Sequence, residues 1–202
     1  MIVIAWLLFA FALGAVPFAL LLGRALGVDI RQVGSGNVGA TNLARARGVG
    51  WGVVAFVLDA AKGALPVWGG KRLEVFSEHL AWLPVIAGAC AIAGHCFSPY
   101  LRFRGGKGVA TAAGVLLALD AALLGILLLL WGGLLWGARN VGLASSVAAL
   151  GAGVAGVLEL TKSRPQPVFA GFLLLLSVLV LARHHRNLQS LFRRTAAGRG
   201  AG

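Results

Sequence analysis

Carboxylates are scarce in this sequence: its 202 residues include six aspartates and glutamates, against 18 lysines and arginines. Catalysis by divalent metal ions normally gathers several carboxylate oxygens at one site. The connections that we predict below to lie on one side of a membrane contain a single acid, Asp29. A serine or cysteine triad on that side is also disfavoured, because Asp29 alone would have to supply its acid. The sequence therefore predicts a function without a metal ion or other cofactor.

Cysteine and charged residues are also few. Cys90 and Cys96 lie six positions apart, where one helix points them to different faces, so we interpret them as packing residues without metal-ligand spacing. Charged residues make up 12% of the chain, compared with roughly 25% in soluble domains, and 59% of residues are hydrophobic. The hydrophobic residues form long runs, near the ~20 residues that cross a bilayer. This composition excludes an ordinary soluble domain and predicts an all-α integral membrane protein.

We predict about seven transmembrane helices in a single domain that covers residues 1–202. Their approximate bounds are 2–22, 51–70, 80–96, 109–119, 121–137, 141–160 and 166–182. One helix over 109–137 would be too long without strong tilt, and Asp120 favours a break there, although 109–119 could also be re-entrant. The basic tail from about 193 to 202 is expected to be disordered. Glycines within the spans are expected to allow close helix packing; examples are Gly132, Gly133, Gly151, Gly153 and Gly156.

Basic residues are distributed unevenly between the two sides of this topology. One side carries 13 of them: Arg24, Arg31, Arg45, Arg47, Arg102, Arg104, Lys107, Arg139, Arg183, Arg186, Arg193, Arg194 and Arg199. The other side carries four: Lys71, Arg72, Lys162 and Arg164. The positive-inside rule places the first side in the cytoplasm, so we predict the N-terminus outside and the C-terminus inside. The net charge of +12 then indicates attraction to anionic lipids and phosphorylated substrates, and no nucleic acid is expected.

A first polar segment (residues 34–45) falls on the cytoplasmic side. It contains G-x-G-x-x-G, but a membrane helix and not a β-strand precedes it, so a dinucleotide fold is disfavoured. Its glycines let backbone N–H groups approach an anion, and Arg45 can form a forked contact with a phosphate. A helix starting near Gly39 would place Thr41 and Arg45 one turn apart. The alternative is a polar turn with a helix cap. The candidate residues are Gly34, Ser35, Gly36, Asn37, Ala40, Thr41, Asn42 and Arg45.

A second polar segment (residues 94–111) leads into the fourth predicted span. A glycine-rich turn with a lysine at the start of a helix can bind an anion through amides, helix dipole and charge together. The alternative is a basic loop held at the lipid headgroups, and His95 is equally consistent with a structural role. The candidates are His95, Gly105, Gly106, Lys107, Gly108 and Thr111.

A third polar segment (residues 184–188) leaves the last span, with His184 and Asn187 as candidates. By itself such a basic cluster is typical of a lipid anchor. Within the second span, Asp59 and Lys62 lie at positions i and i+3 and can pair, which is how charges inside membranes are usually tolerated. We leave open whether this pair is structural or supports a site.

Together these segments closely resemble the bacterial acyl-phosphate:glycerol-3-phosphate acyltransferase family. The matching motifs are G-S-G-N-x-G-A-T-N-x-x-R at 34–45, F-x-G-G-K-G-V-A-T ending at 111, H-x-x-N at 184–187 and L-D-x-x-K-G at 58–63. Ser98 before Pro99 and Ser190 after the third motif depart from the family pattern. The resemblance covers essentially the whole chain.

The resemblance implies acyl transfer from acyl phosphate to the 1-hydroxyl of glycerol 3-phosphate, giving lysophosphatidic acid and phosphate, the first step of phospholipid synthesis in the bacterial inner membrane. It implies that Ser35, Asn37, Thr41 and Arg45 hold one phosphate and that Lys107 with the glycine amides holds the other. It also implies that His184 and Asn187 orient the glycerol. The catalytic base stays open between His184, His95 and the substrate phosphate. A transporter for anions is the runner-up interpretation.

Overall fold

The chain is almost entirely helical in its computed structural model, which describes residues 1–74 and 78–199, apart from the side chains of residues 74, 78, 186–188 and 190–199. The α-helices are α1 Ile2–Ala15, α2 Phe18–Ala25, α3 Ala40–Arg47, α4 Val49–Glu74, α5 Leu83–Cys96, α6 Val109–Leu119, α7 Ala121–Ala138, α8 Val141–Leu160 and α9 Pro167–Arg199. Short 3-10 turns cover Ile30–Gln32, Glu78–Leu80 and Pro99–Leu101. The described residues contain no β-strand, which confirms the predicted all-α fold.

Five of the described helices are long and apolar enough to cross a membrane, and a sixth span is possible if the bent pair α1 and α2 crosses as one. The predicted break at Asp120 is confirmed, because α6 ends at Leu119 and α7 begins at Ala121. Helix α6 has 11 residues, about 17 Å of helix, which is short for a ~30 Å hydrocarbon core. The count of seven spans and the orientation stay predictions.

The predicted first span, 2–22, is wrong as one continuous helix. Helix α1 ends at Ala15, Val16 is extended (φ −60°, ψ 120°), and α2 begins at Phe18 at an angle of 40°. Pro17 is the cause, since proline has no N–H to donate and disfavours helical conformation at the preceding residue. Two side chains accommodate the break: Lys62 Nζ donates to the Val16 carbonyl at 2.6 Å, and Ser98 Oγ donates to the Ala15 carbonyl at 2.7 Å.

The chain divides into two compact units, Met1–Ala121 and Ala122–Gly202, each described by itself below. In the first unit, α1 packs on α5 and α4 packs on α6 at glycine contacts. A Cβ at Gly94 would overlap the Phe11 carbonyl oxygen, and a Cβ at Gly114 would overlap that of Ala60. Such backbone approach is typical of membrane helix pairs. A separate apolar cluster joins α2, α3 and α4 below the first polar segment; it contains Ala19, Leu20, Ile30, Val38, Leu43 and Ala55.

In the second unit, α8 packs along α9. Gly153 and Gly156 lie at this contact, where added Cβ atoms would come within about 3 Å of Ser177 and Ala170. Gly132 and Gly133 do not pack closely, because Cβ atoms there would meet no described atom within 4 Å, so that part of the glycine prediction is wrong. Helix α9 continues to Arg199, through residues 193–199 of the tail for which we expected disorder, and residues 200–202 lie outside the described residues.

Candidate active site

The first polar segment is organised around the buried side chain of Asn42. Its Oδ1 accepts a hydrogen bond from the Ser35 N–H at 3.2 Å. Its Nδ2 donates to the carbonyl oxygens of Ile30 at 2.7 Å and Val33 at 3.0 Å. Gly34 has a φ of +58°, which suits glycine, and a Cβ there would lie 2.7 Å from Asn42 Oδ1. Asn42 therefore contacts the loop itself, and its amide fixes the path of the backbone around Ser35.

The remaining polar side chains of the first segment point outward. Helix α3 begins at Ala40 with Gly39 as its N-cap, so the condition considered in the sequence analysis is met and Thr41 and Arg45 lie one turn apart. Ser35, Thr41 and Arg45 are exposed, and Asn37 is half-buried. Asn42 thus stabilises the loop from inside, while the side chains of Ser35, Thr41 and Arg45 lie at the surface, and the Ser35 hydroxyl accepts a hydrogen bond from the Asn37 N–H at 3.4 Å.

The second segment lies directly on the C-terminal end of α5. The Gly105 N–H donates to the Cys96 carbonyl and the Gly106 N–H donates to the His95 carbonyl, both at 3.1 Å. A Cβ at Gly105 would overlap the His95 carbonyl oxygen, and a Cβ at Gly106 would overlap His95 Nε2. Two of the four amides that we expected to face an anion are therefore occupied within the protein. These two glycines allow close approach to α5, so they position Lys107.

Helix α6 begins at Val109, two residues after Lys107, which agrees with the predicted start of the fourth span. Gly108 is its N-cap and has a φ of +84°, and a Cβ there would also lie 3.0 Å from Cys96 Sγ. Lys107 is half-buried. Thr111, one turn further on, is fully buried, and its hydroxyl has no hydrogen-bond partner among the described residues. The second segment thus combines one half-buried cation with a tightly constrained backbone.

An open pocket of about 730 Å³ adjoins the first segment. Its lining residues are Arg31, Gly36, Val38, Tyr100, Leu101, Arg102 and Arg104. In the sequence, these three arginines indicated only the sidedness of the membrane. Their shared pocket depends on the turn at Pro99–Leu101 and on the left-handed backbone of Arg102 and Phe103 (φ +50° and +62°), which no motif signals.

One of the three pocket arginines is neutralised by a neighbour. Arg31 Nε lies 2.9 Å from Asp29 Oδ1, and its Nη2 donates to Asp29 Oδ2. These hydrogen bonds lower the pKa of Asp29 to about 2, so this carboxylate is ionised at neutral pH. Arg102 and Arg104 are exposed, and the described residues that line the pocket include no carboxylate. The pocket therefore carries net positive charge and suits an anion.

Below the two segments, Asp59, Lys62 and His95 form a buried group that we call the Asp59 cluster. Lys62 Nζ lies 2.7 Å from Asp59 Oδ1, which confirms that these residues pair. His95 Nδ1 lies 3.8 Å from the same carboxylate oxygen. The exposed fractions are 1% for Lys62, 2% for Asp59 and 7% for His95. The buried ring of His95 thus lies between Asp59 and Gly106.

The third segment belongs to the second unit, within α9. His184 is buried at 3% exposure, and its Nδ1 lies 2.8 Å from the Val180 carbonyl oxygen. A carbonyl oxygen can only accept, so Nδ1 of His184 carries a proton and donates it to Val180. His185 is exposed, consistent with the choice of His184 as the motif histidine. Asn187 lies in the helix, but its side chain is outside the described residues.

Comparison with known proteins gives one consistent result. The family model for glycerol-3-phosphate acyltransferase matches residues 4–194. Glycerol-3-phosphate acyltransferase 1 of Deinococcus radiodurans is 42% identical over 92% of this chain and 89% of its own length. The glycerol-3-phosphate acyltransferase of Syntrophotalea carbinolica is 41% identical over 92% and 91%.

Two crystal structures of PlsY (YgiH), an integral membrane glycerol 3-phosphate acyltransferase, have the same fold as this chain. The glycerol 3-phosphate form has a TM-score of 0.85 at 33% identity, covering 96% of this chain and 93% of that one. The lysophosphatidic acid form has a TM-score of 0.82 at 32% identity, with the same coverage.

Proposed function

Since the chain belongs to the glycerol-3-phosphate acyltransferase family and is a multi-pass membrane enzyme of the PlsY type, we propose that its acyl donor is acyl phosphate and its product lysophosphatidic acid. We place the reaction at the cytoplasmic face of the bacterial inner membrane, in agreement with the positive-inside rule. The observation that carries this proposal is the arrangement of the first segment, where Asn42 turns inward and leaves Ser35, Thr41 and Arg45 facing outward.

The proposed roles follow from charge and hydrogen-bonding capacity. Ser35, Asn37, Thr41 and Arg45 hold a substrate phosphate, and a guanidinium is well suited to this because it can contact two phosphate oxygens at once. Lys107 holds the phosphate of the donor and stabilises the charge that develops on it. His184 and Asn187 keep the role that the resemblance implies, which is to orient the glycerol.

The chemical step is an acyl substitution. The C1 hydroxyl oxygen of glycerol 3-phosphate forms a bond to the acyl carbon, and the bond between that carbon and the phosphate oxygen breaks. Inorganic phosphate leaves with the electron pair, and the hydroxyl proton passes to a base or to a phosphate oxygen. Acyl phosphate is already activated, so no acyl-enzyme intermediate is needed, and positioning supplies much of the rate.

The contacts of the two histidines favour His184 over His95 as the base. His95 packs against Gly106 and lies beside Asp59, which gives it a place in the scaffold of the second segment. His184 Nδ1 donates to the Val180 carbonyl, which fixes the orientation of the ring within α9, as a general base requires. The phosphate of a bound substrate stays an alternative acceptor.

The donor is tested by offering acyl phosphate, acyl-CoA and acyl carrier protein separately to the purified enzyme in detergent, with labelled glycerol 3-phosphate. We expect lysophosphatidic acid and one equivalent of phosphate from acyl phosphate, at a rate at least about tenfold above the other donors. This margin corresponds to about 1.4 kcal/mol of transition-state discrimination. Acylation from acyl-CoA alone would refute the donor assignment. Product formation without vesicles would also separate the enzyme from the transporter interpretation.

The arginine-lined pocket yields a second prediction about substrate capture. We expect the combined change Arg102→Gln and Arg104→Gln to raise the KM for glycerol 3-phosphate about three- to tenfold at low salt, because a positive pocket concentrates a dianion. At 300 mM salt the difference should largely disappear, since screening weakens exposed charges. The measurement is initial rate against substrate concentration at two ionic strengths.

The matched control is Arg164→Gln, which removes an exposed arginine outside the pocket. It should leave the KM at both ionic strengths close to that of the parent enzyme. If the double variant behaves like Arg164→Gln, the pocket does not lie on the route of the phosphorylated substrate.

A further inference from the structure

We propose that Asp59 and Lys62 are positioning residues for acyl transfer, because the Asp59 cluster holds the backbones of both the first and the second polar segment in place. This inference rests on the proposed function in one respect: it takes Ser35 and Lys107 as groups that contact substrates. The two residues themselves lie within α4 and are almost fully buried.

Burial of this pair needs an explanation beyond stability. Two charges removed from water lose hydration, and apolar replacements of similar volume are often neutral or stabilising. Charged side chains within membrane helices are correspondingly rare and usually functional. In this chain each member of the pair contacts a different neighbour in addition to its partner.

Lys62 connects the pair to the first segment. Its Nζ donates to the carbonyl of Val16, at the break caused by Pro17, and lies 5.6 Å from the ring centre of Phe18. Helix α2 leaves this break and brings Ala19 and Leu20 into the apolar cluster with Ile30 and Leu43. Ser35 lies in the chain between Ile30 and Leu43, so the angle at Val16 sets where Ser35 lies.

Asp59 connects the pair to the second segment through His95. The carboxylate lies 3.8 Å from His95 Nδ1, and the other ring nitrogen, Nε2, lies against Gly106. The His95 carbonyl also accepts the Gly106 N–H. Since Lys107 is the next residue, a shift of the imidazole displaces the backbone that carries this cation.

Ser98 supplies a direct link between the two sides. It belongs to the second segment, yet its hydroxyl donates to the Ala15 carbonyl, one residue before the carbonyl bound by Lys62. The break between α1 and α2 therefore accepts one hydrogen bond from a side chain of α4 and one from a side chain of the second segment. The position of the first polar segment relative to the second depends on these contacts.

A double-mutant cycle on Asp59→Asn and His95→Gln tests the proposal, with kcat and the KM for glycerol 3-phosphate measured on purified enzyme. We expect each single change to lower kcat about tenfold and the combined change to lower it no further, which is a coupling of the size seen between contacting residues. The KM should change less than about twofold, because the loss falls on the step that Lys107 assists. The proposal would be overturned if the losses in kcat of the two single variants multiplied in the double variant, or if both single variants had the kcat of the parent enzyme.

The matched control is Glu159→Gln. Glu159 is also a buried carboxylate that pairs with a lysine three residues later, Lys162, but it lies in α8 of the second unit. The Glu159→Gln variant should have the kcat of the parent enzyme. When it is combined with His95→Gln, the two effects on kcat should simply multiply. Coupling of equal size in this control would mean that loss of any buried carboxylate paired with a lysine produces the effect, and the proposal would fail.

The exchange Asp59→Lys with Lys62→Asp covers the case in which Asp59→Asn does not fold. It keeps both charges in α4 but removes the ammonium from Val16 and the carboxylate from His95. We expect a folded protein, judged by its thermal transition, with kcat lowered at least tenfold; normal kcat would overturn the proposal. Ser35→Ala and Lys107→Met belong in the same assay. Normal activity of Ser35→Ala and Lys107→Met would refute the site assignment. If both are inactive but the losses of Asp59→Asn and His95→Gln simply multiply, only the positioning role is refuted.

Discussion

Replacing Lys107 with methionine is expected to lower kcat about 100- to 1,000-fold, the loss that follows removal of one preorganised group from a developing charge. Methionine keeps most of the length and apolar volume of the lysine stem, so the loss reports the charge. The leaving group of the proposed reaction is a phosphate, which gains negative charge as the acyl–oxygen bond breaks. The half-buried position of Lys107 strengthens this interaction, because water screens it less than an exposed charge.

The measurement is steady-state turnover of acyl phosphate and glycerol 3-phosphate in detergent. We expect the KM for glycerol 3-phosphate to stay within about threefold, since the contact strengthens mainly in the transition state. Lys107→Arg should recover part of the rate, because the charge is kept while its geometry changes. Lys162→Met, which removes an exposed lysine from the second unit, is the control and should turn over normally. A kcat within about threefold of the parent in Lys107→Met would show that this lysine does not stabilise the leaving phosphate.

Several local features of the molecule follow directly from residue types in the sequence. A start of α3 near Gly39 is compatible with the sequence because glycine is an accepted N-cap residue. The break at Asp120 was predictable because a carboxylate is costly in mid-bilayer. The pairing of Asp59 with Lys62 needed only their spacing on a helix. In each case one short-range rule decides the outcome.

Contacts between distant parts of the chain could not be predicted in this way. The unbroken apolar run around Pro17 favours one continuous span, although proline alone signals a bend. Gly105 and Gly106 were expected to present amides to an anion, but the carbonyls at the end of α5 take both N–H groups. The glycine spacing is the same for either use, so only the position of α5 distinguishes them.

The candidate site shows the same division. The sequence alone indicates the outward groups Ser35, Thr41 and Arg45, whereas the inward role of Asn42 depends on carbonyls nine and twelve residues away in the chain. Lys62 was recognised as a partner of Asp59, but its contact with Val16 spans 46 positions. Residue types thus predict which groups can bind phosphate, and tertiary packing decides which of them are free to do so.

Gly105→Ala is expected to be the most damaging single-methyl change in the glycine-rich turn at 105–108. The added Cβ would overlap the His95 carbonyl oxygen, and the Cys96 carbonyl oxygen would lie only 2.8 Å away. Both neighbours are backbone atoms at the end of a helix, so no side-chain rotation relieves the overlap. We expect the segment to move away from α5, with kcat lowered at least 100-fold and unfolding stability lowered by about 1–3 kcal/mol.

Two further glycine variants allow the expected losses of kcat to be ranked. In Gly106→Ala the overlap is with His95 Nε2, a ring atom that can shift, so its loss of kcat should be smaller than that of Gly105→Ala. In Gly125→Ala, within α7, the Cβ meets no described atom within 4 Å, so activity should be unchanged and stability equal or slightly higher, as alanine favours a helix over glycine. Turnover and thermal transitions of the three variants check the order. If Gly105→Ala were as active as Gly125→Ala, close contact with α5 could not be what places Lys107, because the methyl group cannot be accommodated without breaking that contact.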